Sequence, residues 1–110
     1  MVIDKVLNTD GRGYWSAEAR EVRLVGLDIL PYDGGGCELR VIFDTSTWDV
    51  DRHGLIYTDE RFELELREFL GSLGLPARTV RYSEQGMQGD DYVSFDAGEE
   101  FADAWGSVTA

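Results

Sequence analysis

The sequence predicts an α+β domain: an antiparallel sheet of about four to five strands with two helices, in the order β-β-β-α-β-β-α. Three observations predict this class. Residues 21–30 and 37–45 have strand patterns, and the glycine turn PYDGGG joins them. Residues 62–73 repeat apolar side chains at helical spacing. Two further strand patterns, residues 79–83 and 91–95, precede a second short helix.

The length of the chain indicates one domain. It has 110 residues, of which 43% are hydrophobic, and that is enough for one core. We expect a single domain over residues 1–110, with residues 1–13 as a loosely ordered N-terminal segment. Residues 14–20, YWSAEAR, fit a short helix capped by Ser16 or the beginning of a strand, and we favour the strand.

The predicted hairpin follows from two different apolar patterns. EVRLVGLDIL, residues 21–30, is too apolar for a one-faced helix and ends at Pro31, so it is typical of a buried strand. CELRVIFDT, residues 37–45, alternates Leu39, Val41 and Phe43 with polar residues, which predicts a strand with one wet face.

The first helix is the clearest element. Thr58 can cap its start, and Gly74 followed by Pro76 ends it. Its apolar stripe consists of Phe62, Leu66, Phe69, Leu70 and Leu73.

The second half of the chain contains two strands and a helix. A polar loop, EQGMQGD, joins the strands at residues 79–83 and 91–95. Asp96 and Glu99 have the spacing of a capping box, which predicts that the last helix begins there and places Phe101 and Trp105 one turn apart.

Charge is the most extreme feature of the composition. Twenty-two acidic residues against ten basic ones give a formal net charge of -12. Such a surface repels nucleic acid and anionic membranes, because both are bound largely through Lys and Arg. It attracts basic protein surfaces and divalent cations. We therefore expect no direct nucleic-acid or membrane partner and a basic protein surface as the partner, with solubility alone as the alternative explanation.

The sequence also favours a cytoplasmic location. Its start, MVIDKVLN, carries an acidic residue where a secretory signal would be basic. No apolar run approaches the roughly 20 residues that span a bilayer. The single cysteine, Cys37, cannot form an internal disulfide.

Residues 49–60, DVDRHGLIYTDE, have the spacing of a calcium loop. Asp49, Asp51 and Glu60 stand at the first, third and twelfth places, with Gly54 at the sixth. The segment resembles the loop of the EF-hand family. That resemblance implies a calcium site formed by the two aspartates, the carbonyl of Leu55 and the glutamate.

This segment departs from the EF-hand pattern in three ways. His53 and Tyr57 stand where the family places oxygen ligands, and Arg52 adds a positive charge. A strand pattern precedes the loop where the family has a helix, so the resemblance covers only about a quarter of the chain. The alternative interpretation is a turn, shaped by Gly54, that leads into the first helix. Calcium is the one cofactor that the sequence suggests.

A second acidic stretch is the candidate partner-binding loop. SEQGMQGDDY, residues 83–92, has two glycines for backbone freedom and one soft apolar side chain near its tip. A tryptophan beside carboxylates would add cation-π contacts with a basic partner. The predicted partner-binding residues are Glu84, Met87, Asp90, Asp91 and Trp48. A polar hairpin tip and aromatic residues at the rim of the core are the alternatives.

Catalysis finds little support in the sequence. Cys37 beside a glycine turn is typical of a buried thiol. His53 shares one loop with its acidic neighbours, without a nucleophile elbow or an oxyanion site. We expect a small acidic binding protein, not an enzyme, that engages a basic protein as an inhibitor, immunity protein or adaptor does. The alternatives are a calcium-binding module and a nucleic-acid mimic that inhibits a DNA-binding protein.

Overall fold

The computed structural model describes residues 1–9, 20–44, 46, 60–88 and 91–109, and the side chains of all of these except residues 20 and 83–88. The strands are β1 (Val2–Thr9), β2 (Arg20–Pro31), β3 (Cys37–Phe43), β4 (Val80–Gln88) and β5 (Tyr92–Ala97). The helices are α1 (Glu60–Ser72) and α2 (Glu99–Val108), with a short 3-10 turn at Ala77–Thr79. This order, β-β-β-α-β-β-α, confirms the predicted α+β class.

The five strands form one antiparallel sheet in the order β1-β2-β3-β5-β4. The predicted hairpin of β2 and β3 is present, with Pro31 opposite Cys37 at the turn. β5 inserts between β3 and β4, and its register runs from Cys37 opposite Ala97 to Ile42 opposite Tyr92. The pairing of β3 with β5, which are far apart in the sequence, therefore joins the two halves of the chain in one sheet.

The core lies on one face of the sheet, beneath the two helices. The alternation predicted for β3 is confirmed, because Leu39, Val41 and Phe43 are all buried. The apolar stripe of α1 packs on this face, and the ring of Phe62 meets that of Phe43 edge-on at 6.1 Å between centroids. Phe101 anchors α2 in the same core. The buried residues of the α1 stripe are Phe62, Leu66 and Leu70.

Side chains of α1 also form hydrogen bonds and a cation-π contact with β1. The backbone N–H of Asn8 donates to Oε2 of Glu65 at 3.1 Å, and its side-chain Nδ2 donates to Oε1 at 2.9 Å. The ammonium of Lys5 lies 5.8 Å from the ring centroid of Phe69. These polar contacts add to the apolar packing that holds the helix against the sheet.

The N-terminal and β4 segments differ from the sequence prediction. Residues 2–9 form β1 where a loosely ordered segment over 1–13 was predicted. β4 continues through Gln88, although residues 84–90 were predicted to be a loop. Its pairing with β5 at Gln85 opposite Phe95 and Gln88 opposite Val93 extends the ladder across two register shifts. Strand pairing therefore outweighs the local preference of glycine and amide residues for turns.

The predicted capping box at the start of α2 is wrong. Gly98 is the N-cap, and no side-chain hydrogen bond caps the N-terminus of the helix. Asp96 belongs to β5 instead, where its register places it opposite Glu38. At the other helix, Gly74 ends α1 as predicted, in a left-handed conformation with φ 83°. The proposed cap Thr58 and the ambiguous residues 14–20 lie outside the described residues, apart from the backbone of residue 20 in β2.

Candidate functional site

The structure describes only part of the predicted binding residues. Those outside the described ranges are Trp48, Asp49, Asp51, Leu55 and Asp90. For Glu84 and Met87 it describes only the backbone, within β4. Glu60 is exposed as the first residue of α1, and Asp91 is exposed just before β5. The assignment of these residues to a partner or to calcium therefore stays a prediction.

The end of β3 and the start of β5 lie at the same end of the sheet. The backbone N–H of Phe43, the last residue of β3, donates to the carbonyl of Asp91 at 2.7 Å. The chain leaves the sheet at Asp44, and the description resumes at Glu60, the first residue of α1. Glu65, which binds Asn8 near the end of β1, lies one to two turns further along this helix. The contact between Phe43 and Asp91 therefore places the start of the connection after β3 beside the end of the connection before β5.

Asp44 organises the chain where it leaves β3. Its Oδ1 accepts hydrogen bonds from the hydroxyl of Ser46 at 2.6 Å and from the backbone N–H of Ser46 at 3.0 Å. These hydrogen bonds hold the pKa of the Asp44 carboxyl below its usual range, the hydroxyl contributing most. Such a side-chain turn is a local reason for the strand to end here.

Within the described residues, no three His, Cys, Asp or Glu side chains come together as a metal site. Three of the four predicted calcium ligands, at positions 49, 51 and 55, lie outside that part of the chain. No helix of the described ranges is both long enough and apolar enough to cross a membrane. The thiol of Cys37 faces the core, and its burial raises the pKa, which disfavours the nucleophilic thiolate.

The opposite end of the sheet carries a cavity that the sequence did not reveal. It has a volume of about 320 Å³ and is lined by Tyr32, by residues 34–36, by Arg81 and by residues 96–99. We call it the turn cleft. It lies between the hairpin turn of β2 and β3 and the start of α2. The PYDGGG turn was predicted, but its position beside α2 depends on the pairing of β3 with β5.

Glycines form the wall of the turn cleft for steric reasons. Gly35 and Gly36 have φ angles of 97° and 77°, which side chains rarely allow. A Cβ at Gly36 would lie 2.7 Å from the carbonyl oxygen of Ala97, so the turn approaches β5 too closely for any side chain. A Cβ at Gly35 would lie 3.0 Å from Oε1 of Glu99. The turn therefore packs directly under the first residue of α2.

Carboxylates dominate the electrostatics of the turn cleft. Tyr32 donates its hydroxyl hydrogen to Oδ1 of Asp96 at 2.6 Å. This hydrogen bond and the surrounding negative charge raise the pKa of Tyr32 to about 12. Asp96 also stands directly opposite Glu38 on the neighbouring strand, and like charges in that arrangement repel. Glu99 occupies the first turn of α2, where the helix dipole favours a negative charge.

One neighbouring arginine relieves part of this repulsion. Nε of Arg40 lies 3.6 Å from Oε1 of Glu38, and its guanidinium lies 4.9 Å from the ring centroid of Tyr92. Among the described residues this buried Nε has no hydrogen-bond partner. Arg40 therefore partly neutralises the charge of Glu38 without a direct hydrogen bond. The carboxylate of Asp96 instead accepts a hydrogen bond from the neutral phenol of Tyr32.

The comparisons with known proteins give no further guide to the site. The chain matches no protein-family model, no curated protein and no solved structure.

Proposed function

We propose that this chain is a small acidic protein without enzymatic activity that binds a basic surface of another protein, as an inhibitor, immunity protein or adaptor does. The support is the distribution of charge over the described surface. Carboxylates outnumber basic groups by twelve in the whole chain. The positions of the arginines determine which carboxylates are left outside ion pairs and can contact a partner.

Most described arginines are already paired within the chain. Among the described arginine side chains, at least five lie in ion pairs with carboxylates. These pairs are Arg23 with Asp4, Arg40 with Glu38, Arg61 with Glu65, Arg67 with Glu63, and Arg78 with Glu100. Exposed pairs of this kind add little stability, but they neutralise the positive charge locally. The pairing of these arginines within the chain is the observation that supports the proposal.

The remaining carboxylates form the ionic surface that a partner would meet. Eight of them are exposed and make no ion pair within the described ranges: Glu21, Asp28, Asp33, Glu60, Glu68, Asp91, Glu99 and Asp103. They occur at both ends of the sheet and on both helices. A surface with one sign of charge speeds association with a surface of the opposite sign and disfavours acidic competitors.

The test begins with capture of partners on the immobilised protein from an extract of the cells that encode it. Each captured protein is then purified, and its association rate is measured by stopped flow from low to high salt. We expect a basic partner whose association slows at least about tenfold as the salt rises, because the attraction is screened. A partner whose rate and affinity do not change with salt would contradict the proposal.

A variant with a lower charge separates general attraction from specific recognition. Glu21→Gln combined with Asp28→Asn removes two exposed charges that are in no described ion pair. We expect this pair of substitutions to slow association and to leave dissociation nearly unchanged, as rim charges do. If the partner binds DNA, displacement by duplex DNA identifies the nucleic-acid-mimic form of the same proposal.

A further inference from the structure

We infer that the turn cleft receives an arginine side chain of the basic partner. This inference rests on the proposed function and names the site at which part of it would operate. A cavity of about 320 Å³ is at the small end of the range of ligand sites, of the order of 300 to 1,000 Å³. It suits one long side chain better than a cofactor.

The charges around the cleft favour a cation. Asp96 and Glu99 line it, and Arg81 is the basic residue among its lining side chains. Glu38 adds a negative charge directly across the sheet from Asp96. A cation between these carboxylates would relieve the cross-strand repulsion that the free protein carries. Binding therefore gains more here than at an isolated surface carboxylate.

A metal ion fits this arrangement poorly. Calcium requires six to eight oxygen ligands, and the cleft offers two carboxylates and a phenol beside a guanidinium. No group of three His, Cys, Asp or Glu side chains that could hold a metal ion occurs in the described part of the chain, which includes the whole cleft. An organic cation needs fewer oxygens and tolerates a mixed lining.

The shape of the groups favours guanidinium over ammonium. A guanidinium is planar and presents paired N–H groups that match a carboxylate, whereas an ammonium acts as a point charge. Only Oδ1 of Asp96 accepts the hydrogen bond of Tyr32, and Glu99 is exposed without a described ion pair. The half-exposed ring of Tyr32 adds an aromatic face on which a guanidinium can stack. Arginine is therefore the partner residue that this cleft fits.

The first experiment is an amide NMR titration with N-acetyl-arginine methylamide as the probe. The lysine analogue tests the preference for guanidinium, and the glutamine analogue controls for the neutral part of the probe. We expect the arginine probe to shift the amide signals of residues 34–36, 98 and 99 at concentrations where the lysine probe shifts them less. Equal shifts with both probes, or shifts at other residues only, would overturn the inference.

Three variants make the test specific. Glu99→Gln should weaken binding about fivefold, the effect of one unit charge at about 4 Å in water. Asp103→Asn removes the same charge from an exposed position on the same helix that does not line the cleft, and should change the affinity less than about twofold. Arg81→Gln should strengthen binding, because it removes a positive charge from the lining of the cleft. An unchanged affinity in both cleft variants would contradict the assignment.

The outcomes separate the inference from the proposed function. If the captured partner binds with the expected salt dependence but Glu99→Gln and Asp103→Asn weaken it equally, the cleft is not the arginine site and the proposed function stands. If the probe binds at the cleft but every captured partner is insensitive to salt, the proposed function fails and the cleft keeps its affinity for guanidinium.

Discussion

The hydroxyl of Tyr32 donates a 2.6 Å hydrogen bond to Oδ1 of Asp96, 64 residues further along the chain. This bond ties the hairpin turn of β2 and β3 to β5. It raises the pKa of Tyr32 from 10.0 to about 12, because loss of the proton would place a phenolate against a carboxylate. We expect Tyr32 to titrate near 12 in the folded protein. Spectrophotometric titration of the tyrosines, compared with Tyr32→Phe, checks this value.

The same shift predicts how stability depends on alkaline pH. The folded state holds the proton of Tyr32 more tightly than the unfolded chain does. The contribution of the protonated Tyr32 to the free energy of unfolding is therefore complete below pH 10 and is lost as the pH rises through about 12. The free energy of unfolding of Tyr32→Phe should fall less steeply over this window. Some dependence should remain, because burial also raises the pKa of Tyr82 to about 12. Identical slopes for the two proteins would contradict the role of the hydrogen bond.

The glycines of the turn should differ sharply in their tolerance of a side chain. Gly36→Ala places a Cβ 2.7 Å from the carbonyl oxygen of Ala97 at φ 77°, so we expect a loss of more than about 1 kcal/mol in the free energy of unfolding. Gly34→Ala is the matched control, because its Cβ would meet no atom within 4 Å. Urea denaturation measures both. Equal stabilities would mean that the turn does not need to approach β5 so closely.

The buried face of α1 should dominate its contribution to stability. Phe62 is fully buried against Phe43, so Phe62→Ala should cost about 3–5 kcal/mol in the free energy of unfolding. Leu64→Ala, two residues further along at 56% exposure, should change it by less than about 0.5 kcal/mol. Thermal and urea unfolding of the two variants give the comparison. Similar losses would show that α1 packs through a different face.

Calcium titration decides the loop predicted at residues 49–60. If that loop is a calcium site, calorimetry on the metal-free protein should show saturable binding that Glu60→Gln abolishes, because the glutamate at the twelfth place supplies a bidentate ligand. Glu68→Gln is the control, since it removes an equal charge from an exposed position further along α1. Magnesium tests selectivity. Heat no larger than that of dilution would leave Gly54 as a turn before the helix.

Elements governed by local periodicity were predictable from the sequence. The α1 stripe and the alternation of β3 follow directly from which side chains must be buried, so their spacing shows in the sequence. The end of β4 was not predictable, because its glycine and amide residues pair with β5 against their local preference. Asp96 was misassigned because its spacing to Glu99 fits a capping box as well as a strand followed by a helix.

The turn cleft was not predictable for a related reason. Its carboxylates are known from the sequence, but only the register of β3 against β5 brings Asp96 opposite Glu38 and within reach of Tyr32. Strand register depends on contacts between distant residues, and one sequence does not contain that information. A pattern of one acidic residue in each of two strands has no distinctive spacing.

The contact between Asn8 and Glu65 also bears on how this protein avoids associating with itself. Among the described strands β1 lies at an edge of the sheet, and an unpaired backbone N–H at such an edge is a template on which another chain can add a strand. Glu65 occupies the N–H of Asn8 from within the same molecule. A strand approaching this part of the edge would have to displace a carboxylate and would meet its negative charge. Helix α1, which packs on the core, thus also disfavours the addition of another strand at this part of β1.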